Sequence, residues 1–123
     1  MTNQNTTYKK QRGNQGEEIA AKFLETKGYS IIKRNFKFGK TGEIDIIAKL
    51  DNTLIFVEVK MRTNYLFGNA IEQISLKKRE NWRKAAEGFM FQNNISNQEC
   101  RLDLIAVDMK NNEPQIIHIE NAF

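Results

Sequence analysis

Cysteine occurs once in the 123 residues, at Cys100, so an intrachain disulfide framework is ruled out. Proline also occurs once, at Pro114, and nothing before it interrupts an element by ring geometry. Histidine occurs once, at His118, which leaves Cys100 without a conventional nucleophile constellation. No uncharged apolar run approaches the ~18 residues that a membrane span needs. The opening stretch MTNQNTTYKKQRGNQGEE is polar throughout and has no apolar h-region, so a secretory signal is not expected. There is no GxGxxG, P-loop or zinc-type spacing, hence no argument for a nucleotide cofactor or structural zinc. The expectation is a cytoplasmic protein of one domain, over residues 13–123, behind a polar, loosely ordered start at 1–12.

What is present is a foldable chain with a mild positive charge. Apolar residues make up 40% and charged residues 28%, which permits a core and argues against disorder. Nineteen Lys plus Arg against fifteen Asp plus Glu give a net charge of +4. That balance is compatible with a polyanionic partner without requiring one. The bases are clustered. Lys9, Lys10 and Arg12 lead the chain, and KKRENWRK at 77–84 holds five bases against one acid. Several acids instead fall inside apolar segments.

Hydrophobic periodicity predicts the elements. Ile19, Ala20, Phe23 and Leu24 form a helical stripe over Asn14 to Lys27, closed by Gly28. Strands are expected at 29–38, 44–50 and 54–61, joined by tight turns into an antiparallel meander. A helical pattern runs from Ala70 to about Gln92, with a break near Ser75. Two further strands follow, at 102–109 and 115–119. The order α-β-β-β-α-β-β implies an α/β fold, a mixed sheet flanked by helices.

Two strands carry the chemistry. With regular alternation, Glu43, Asp45 and Ile47 share one face of GEIDIIA, and Ile44, Ile46 and Ala48 the other. In LIFVEVK, Glu58 and Lys60 continue the face begun by Leu54 and Phe56. A carboxylate there is costly without a counter-charge, a donor or a metal. The plain alternative is a Glu58–Lys60 pair at the exposed end of a strand. Asp45 on the adjacent strand argues against it, because it is placed to face Glu58 across the ladder. Two carboxylates that close repel, and a divalent cation relieves them. Oxygen-only ligation favours Mg²⁺ or Mn²⁺. Acids that hold a metal beside an ammonium suit phosphodiester hydrolysis.

Asp45, then twelve residues, then Glu58-Val59-Lys60 resembles the PD-(D/E)xK signature of restriction-endonuclease-like nucleases. Ile44 stands where the usual proline would. The element order fits that fold, and the resemblance implies the Val59 carbonyl as a further metal ligand. GNQGEEIAAKFLETKGYSIIKRNF, GEIDIIA, FVEVKMR and RLDLIAVD, in that order, resemble the YraN family of small bacterial proteins, which carries a predicted endonuclease-like fold. A likeness to archaeal Holliday-junction resolvases points to an acid on the first helix. Counting back eleven residues from Gly28 reaches Glu17. Glu17 is then a third carboxylate of the site, or else Glu17 and Glu18 only favour a positive helix N-terminus.

Other residues admit two readings each. Glu43 is an outer acid of the site or a turn residue. Arg62, Gln73, Lys77 and Lys78 are nucleic-acid contacts or solvated polar groups, and binding through the bases should weaken with salt. Trp82 falls on the apolar stripe, and His118 and Asp103 read as structural. The leading expectation is a Mg²⁺- or Mn²⁺-dependent endonuclease acting on structured or branched DNA in repair or recombination. Its catalytic set is Asp45, Glu58, Lys60 and Glu17, with Asp45, Glu58, Val59 and Glu17 at the metal. A homodimer fits the need for two cuts. The alternative is a non-catalytic nucleic-acid-binding module of a DNA-processing complex.

Overall fold

A computed structural model describes residues 4–62 and 74–123, with residues 4–13 given by backbone alone. Two helices flank a five-stranded sheet in the order α1 (Gln4–Thr26), β1 (Ser30–Phe38), β2 (Gly42–Leu50), β3 (Thr53–Arg62), α2 (Leu76–Gln92), β4 (Glu99–Lys110), β5 (Glu113–Ile119). The strands lie side by side in sequence order. All neighbours are antiparallel except β3 and β4, which run parallel. Among the described residues no helix is long and apolar enough to cross a membrane.

The element order follows the expectation; most strand boundaries shift by one to three residues, and the start of α1 shifts by more. α1 begins at Gln4, ten residues before the Asn14 start that its apolar stripe marks. Glu17 and Glu18 therefore stand in mid-helix, and a favourable N-terminal dipole is not what places them. The break foreseen near Ser75 is the N-cap of α2. The Ser75 hydroxyl accepts a hydrogen bond from the Lys78 backbone N–H at 3.1 Å, satisfying one of the donors a helix start leaves open. Residues 63–73, including Gln73 and the predicted first turn from Ala70, lie outside the described residues.

β3 runs through the middle of the sheet and is covered on both faces, so its apolar run does not alternate with polar residues. Leu54 and Phe56 face α2 and pack with Trp82, Ala85, Phe89 and Leu104. Ile55 and Val57 face α1 and pack with Ala20, Leu24, Tyr29 and Ile105. α1 comes in close because Gly16 has no side chain. A Cβ there would lie 3.1 Å from Met61 Cβ. On the other face, Gly42 backs onto the Asn81 carbonyl, which a Cβ would meet at 2.7 Å.

The β1–β2 pair is irregular at a register shift between Ile31 and Lys33, and alternation is broken again nearer the site. Phe36 and Ile44 pair across β1 and β2 and face α2, while Arg34 pairs with Ile46, which faces α1. Between them stand Asn35 and Asp45. Asn35 has φ 55°, the left-handed region that Asn tolerates better than most residues. The expected face set is thereby corrected. Ile44 joins Ile47 against α2, and Ile46 joins Ala48 against α1, because the alternation inverts at Asp45.

The α1 face also holds a closed polar network. Asp103 is fully buried. It accepts from Arg101 Nε at 2.9 Å and the Asn121 N–H at 2.9 Å, and contacts His118 Nε2 at 2.8 Å. Arg101 also donates to the Tyr29 hydroxyl at 2.7 Å. Burial opposes the Asp103 charge, but His118, Arg101 and the Asn121 N–H outweigh it and hold the carboxyl below its ordinary value. Its contribution is present above the unfolded carboxylate pKa and is lost as pH falls through the lowered one. Asp103→Ala leaves Arg101 without its main partner and should lower stability by about 3 kcal/mol. Urea denaturation at neutral pH measures this, and a loss below about 1 kcal/mol would show that the network is not structural.

Candidate metal and phosphate site

The inversion at Asp45 coincides with the end of the β2–β3 ladder. Register pairs run from Leu50↔Thr53 to Ile46↔Val57 and stop there. The next step would set Asp45 opposite Glu58. In its place the Asp45 carboxylate accepts the Val59 backbone N–H at 2.9 Å. A side chain has taken over a ladder bond, and β2 and β3 diverge around it. Asp45 thus sits in the gap between strands, where groups from both faces can reach it.

They do reach it. The Asp45 side chain is within hydrogen-bonding range of both Glu17, from α1, and Glu58, from β3. Glu17 is only 8% exposed. One oxygen of Glu17 and one of Glu58, Oε2 in each, is buried with no hydrogen-bond partner. Burial, then the charge and hydrogen bond of Asp45, push the Glu17 carboxyl up to about 7. The same causes push Glu58 up to about 10, with a smaller push from Glu43 and an opposing pull from Lys78. Asp45 is the hub of three acids that are not all ionised together unless a positive charge joins them.

Such a cluster fits a hard divalent cation. The donors are all oxygen, and two of them have no partner within the protein. Among the described residues, no three acidic, His or Cys side chains already stand as a complete metal cage. With Glu17 and Glu58 both pushed towards their neutral forms beside Asp45, protons supply the neutralisation that a cation otherwise would.

The remaining candidates divide. Lys60 is half-buried, two residues past Glu58 on the same side of β3. Lys77 and Lys78 are exposed in the first turn of α2, and Lys78 lies near enough to Glu58 to favour its charge. Lys78 also rests over the Trp82 ring, 5.5 Å from its centroid. Arg62 departs from its expected place at the surface. It is 7% exposed and gripped at both ends by Asp108, with Nε to Oδ1 at 2.7 Å and Nη2 to Oδ2 at 2.8 Å. A buried two-pronged ion pair is a structural use of that guanidinium, so a phosphate contact is not what Arg62 supplies.

Two neighbours of the site escaped sequence reasoning. Asn35 lies near enough to Glu17 to favour its charged form. Arg34 donates to Glu18 at 2.8 Å and stands 3.9 Å from Glu17. The available signal was an Asn inside a strand otherwise rich in Ile and Phe.

The sequence pattern of this chain is found elsewhere. The family described as "Uncharacterised protein family UPF0102" matches residues 16–107. That range holds Glu17, Asp45, Glu58 and Lys60. The chain belongs to the UPF0102 family. A UPF0102 protein of Clostridioides difficile is 43% identical over 114 residues, covering 93% of this chain and 97% of the relative. One from Caldicellulosiruptor saccharolyticus is 44% identical over 117 residues, covering 94% and 98%. One from a Sulfurihydrogenibium species is 43% identical over 115 residues, covering 94% and 96%. The likeness to these UPF0102 relatives spans nearly the full length on both sides.

The acid cluster makes a pH-dependent prediction for this UPF0102 chain. Both glutamates have folded pKa values above their unfolded ones, so the metal-free protein is most stable below about pH 4.5 on their account. That contribution is lost as pH rises through about 7 and on towards 10. In EDTA, Tm should therefore fall between pH 6 and pH 9. Mn²⁺ should raise Tm, and by more at pH 9 than at pH 6. Differential scanning fluorimetry reads this directly. A Tm gap between Mn²⁺ and EDTA that is absent, or that shrinks with rising pH, contradicts the cluster's role.

Proposed function

We propose that this UPF0102 protein is a Mg²⁺- or Mn²⁺-dependent endonuclease of the restriction-endonuclease-like kind, cutting structured or branched DNA in repair or recombination. The observation that carries the reading is the convergence of Glu17, Asp45 and Glu58 where β2 and β3 part. Two of their oxygens lack any partner in the protein. The element order and the Asp45–Glu58-Val59-Lys60 spacing support it by resemblance, and the branched substrate rests on resemblance alone.

Asp45, Glu58 and the Val59 carbonyl would hold the cation, with Glu17 completing the set from α1. A bound divalent ion supplies Lewis-acid polarisation of a phosphoryl oxygen and a more acidic water. The chain's own residues do the rest. The Val59 N–H fixes the Asp45 carboxylate, so that acid does not rotate away as phosphate arrives. Burial among the side chains of the α2 core keeps water from screening Glu58. Lys60 brings three donors to the same side of β3, where its ammonium orients the attacking water or offsets charge developing on the phosphate. Lys77 and Lys78 on the exposed start of α2 attract the nucleic-acid backbone.

A second reading follows from a specific observation. No complete metal cage is preformed among the described residues, which suits a nucleic-acid-binding module that does not cut by itself. The two readings separate in one assay. Labelled linear, flap and four-way-junction DNA are incubated with Mg²⁺, Mn²⁺ or EDTA, beside Glu58→Gln. The nuclease reading expects cleavage that needs metal and falls at least 10²-fold in Glu58→Gln, with the fold intact by circular dichroism. Cleavage that persists in Glu58→Gln overturns the site assignment. Salt-sensitive binding with no cleavage by the wild type favours the module.

A further inference from the structure

Arg34 lies where ordinary strand geometry would not put it. Phe36 and Phe38 both pack against the α2 core. With unbroken alternation Arg34 would face the same way. The left-handed turn of backbone at Asn35 sends it to the α1 side, paired with Ile46. There it meets Glu17 and Glu18 on the helix.

The contacts it makes do not use it fully. One terminal nitrogen donates to Glu18 at 2.8 Å. The other is 3.9 Å from Glu17 Oε2, beyond hydrogen-bonding range. Nε is buried and has no partner. Glu18 is about half exposed, and ion pairs of that kind add about 0–1 kcal/mol. A weak surface pair does not account for a guanidinium whose Nε is buried and unsatisfied, since that burial alone costs as much or more. A planar fork with unspent donors matches an oxyanion that offers two oxygens, and a phosphodiester does so.

We infer that Arg34 is a phosphate-contacting residue of the acidic site, brought there by the backbone at Asn35 and held on Glu18 until a nucleic-acid phosphate replaces that carboxylate. The inference rests on the nucleic-acid reading of the site and assigns one residue that the Asp45, Glu58 and Lys60 pattern leaves out. It also explains how three carboxyl groups can neighbour a polyanion. A fixed cation beside Glu17 lowers the repulsion that the incoming phosphate meets.

The test uses Arg34→Gln, Arg34→Lys, Glu18→Gln and the Arg34→Gln/Glu18→Gln pair, on the full chain. A fluorescein-labelled four-way DNA junction is titrated in EDTA at several salt concentrations. Cleavage is then timed at saturating DNA with Mn²⁺. Arg34→Gln should weaken binding and reduce the salt slope by about 1. Arg34→Lys should keep that slope, because the charge remains. Both should slow cleavage, Arg34→Gln by on the order of 10²-fold, since a single ammonium does not reproduce the fork. Glu18→Gln should bind at least as tightly as wild type and cut as fast. If Arg34 serves only to anchor α1, Glu18→Gln loses as much as Arg34→Gln and the pair loses no more, which overturns the inference. An unchanged slope and rate in Arg34→Gln also overturns it, whatever the wild type cuts. A wild type that binds without cutting removes the nuclease reading alone, and the salt slope still decides Arg34. A wild type that binds no DNA at low salt removes both.

Discussion

The inversion of side-chain alternation at Asn35 and Asp45 is the constraint on which the acidic end of the molecule depends. A regular hairpin would put Asp45 on a single face, either against the α2 core or against α1. The inversion leaves it between the two. From there its carboxylate bonds the Val59 N–H and reaches Glu17 on one side and Glu58 on the other. One break in a ladder thus joins residues from a helix and two strands. Breaks of this kind recur next to functional sites because they re-aim side chains that a straight strand holds apart.

The remaining parts of the fold make that break tolerable. β3 and β4 pair along their whole length and are buried on both faces, so the sheet does not need the last steps of β2–β3 pairing to hold together. Gly16 lets α1 settle onto Met61, which brings Glu17 down to Asp45. Arg62 with Asp108, and Arg101 with Asp103, are buried or half-buried charges paired with an opposite charge within the protein. Glu17 and Glu58 differ in that each keeps a buried carboxylate oxygen with no hydrogen-bond partner, beside a third acid. Natural sequences depart from satisfied cores mainly where function demands it, and like charges gathered together, against opposite charges paired elsewhere in the same sheet, are what make this cluster informative.

Much of this was legible in the chain. The element order followed from periodicity, Gly28 and the turn residues. The Asp45–Glu58 neighbourhood followed from a short hairpin and a carboxylate continuing an apolar face. Trp82 was read as core and is buried, and His118, read as structural, contacts Asp103 and the rings of Phe23 and Tyr29. What was not legible depended on backbone irregularity. Strict alternation put Ile44 and Ile46 together, and a left-handed Asn is invisible to a period-two count. The same irregularity hid Arg34, which looked like one more base on a basic strand. Arg62 misled for a different reason. Its partner Asp108 is 46 residues away in sequence, and the parallel register that joins them is a tertiary fact. Glu17 was reached by counting from Gly28, whereas its neighbours Asp45 and Asn35 come only with the packing of α1.

The most direct measurement is a crystal structure of the protein grown near pH 8 with Mn²⁺, with data collected for anomalous scattering from manganese. One anomalous peak is expected, bounded by the carboxylates of Asp45 and Glu58 and the Val59 carbonyl. A map with no peak there, and with the Glu17–Asp45–Glu58 contacts unchanged at millimolar Mn²⁺, would contradict the view that these acids are gathered to hold a metal.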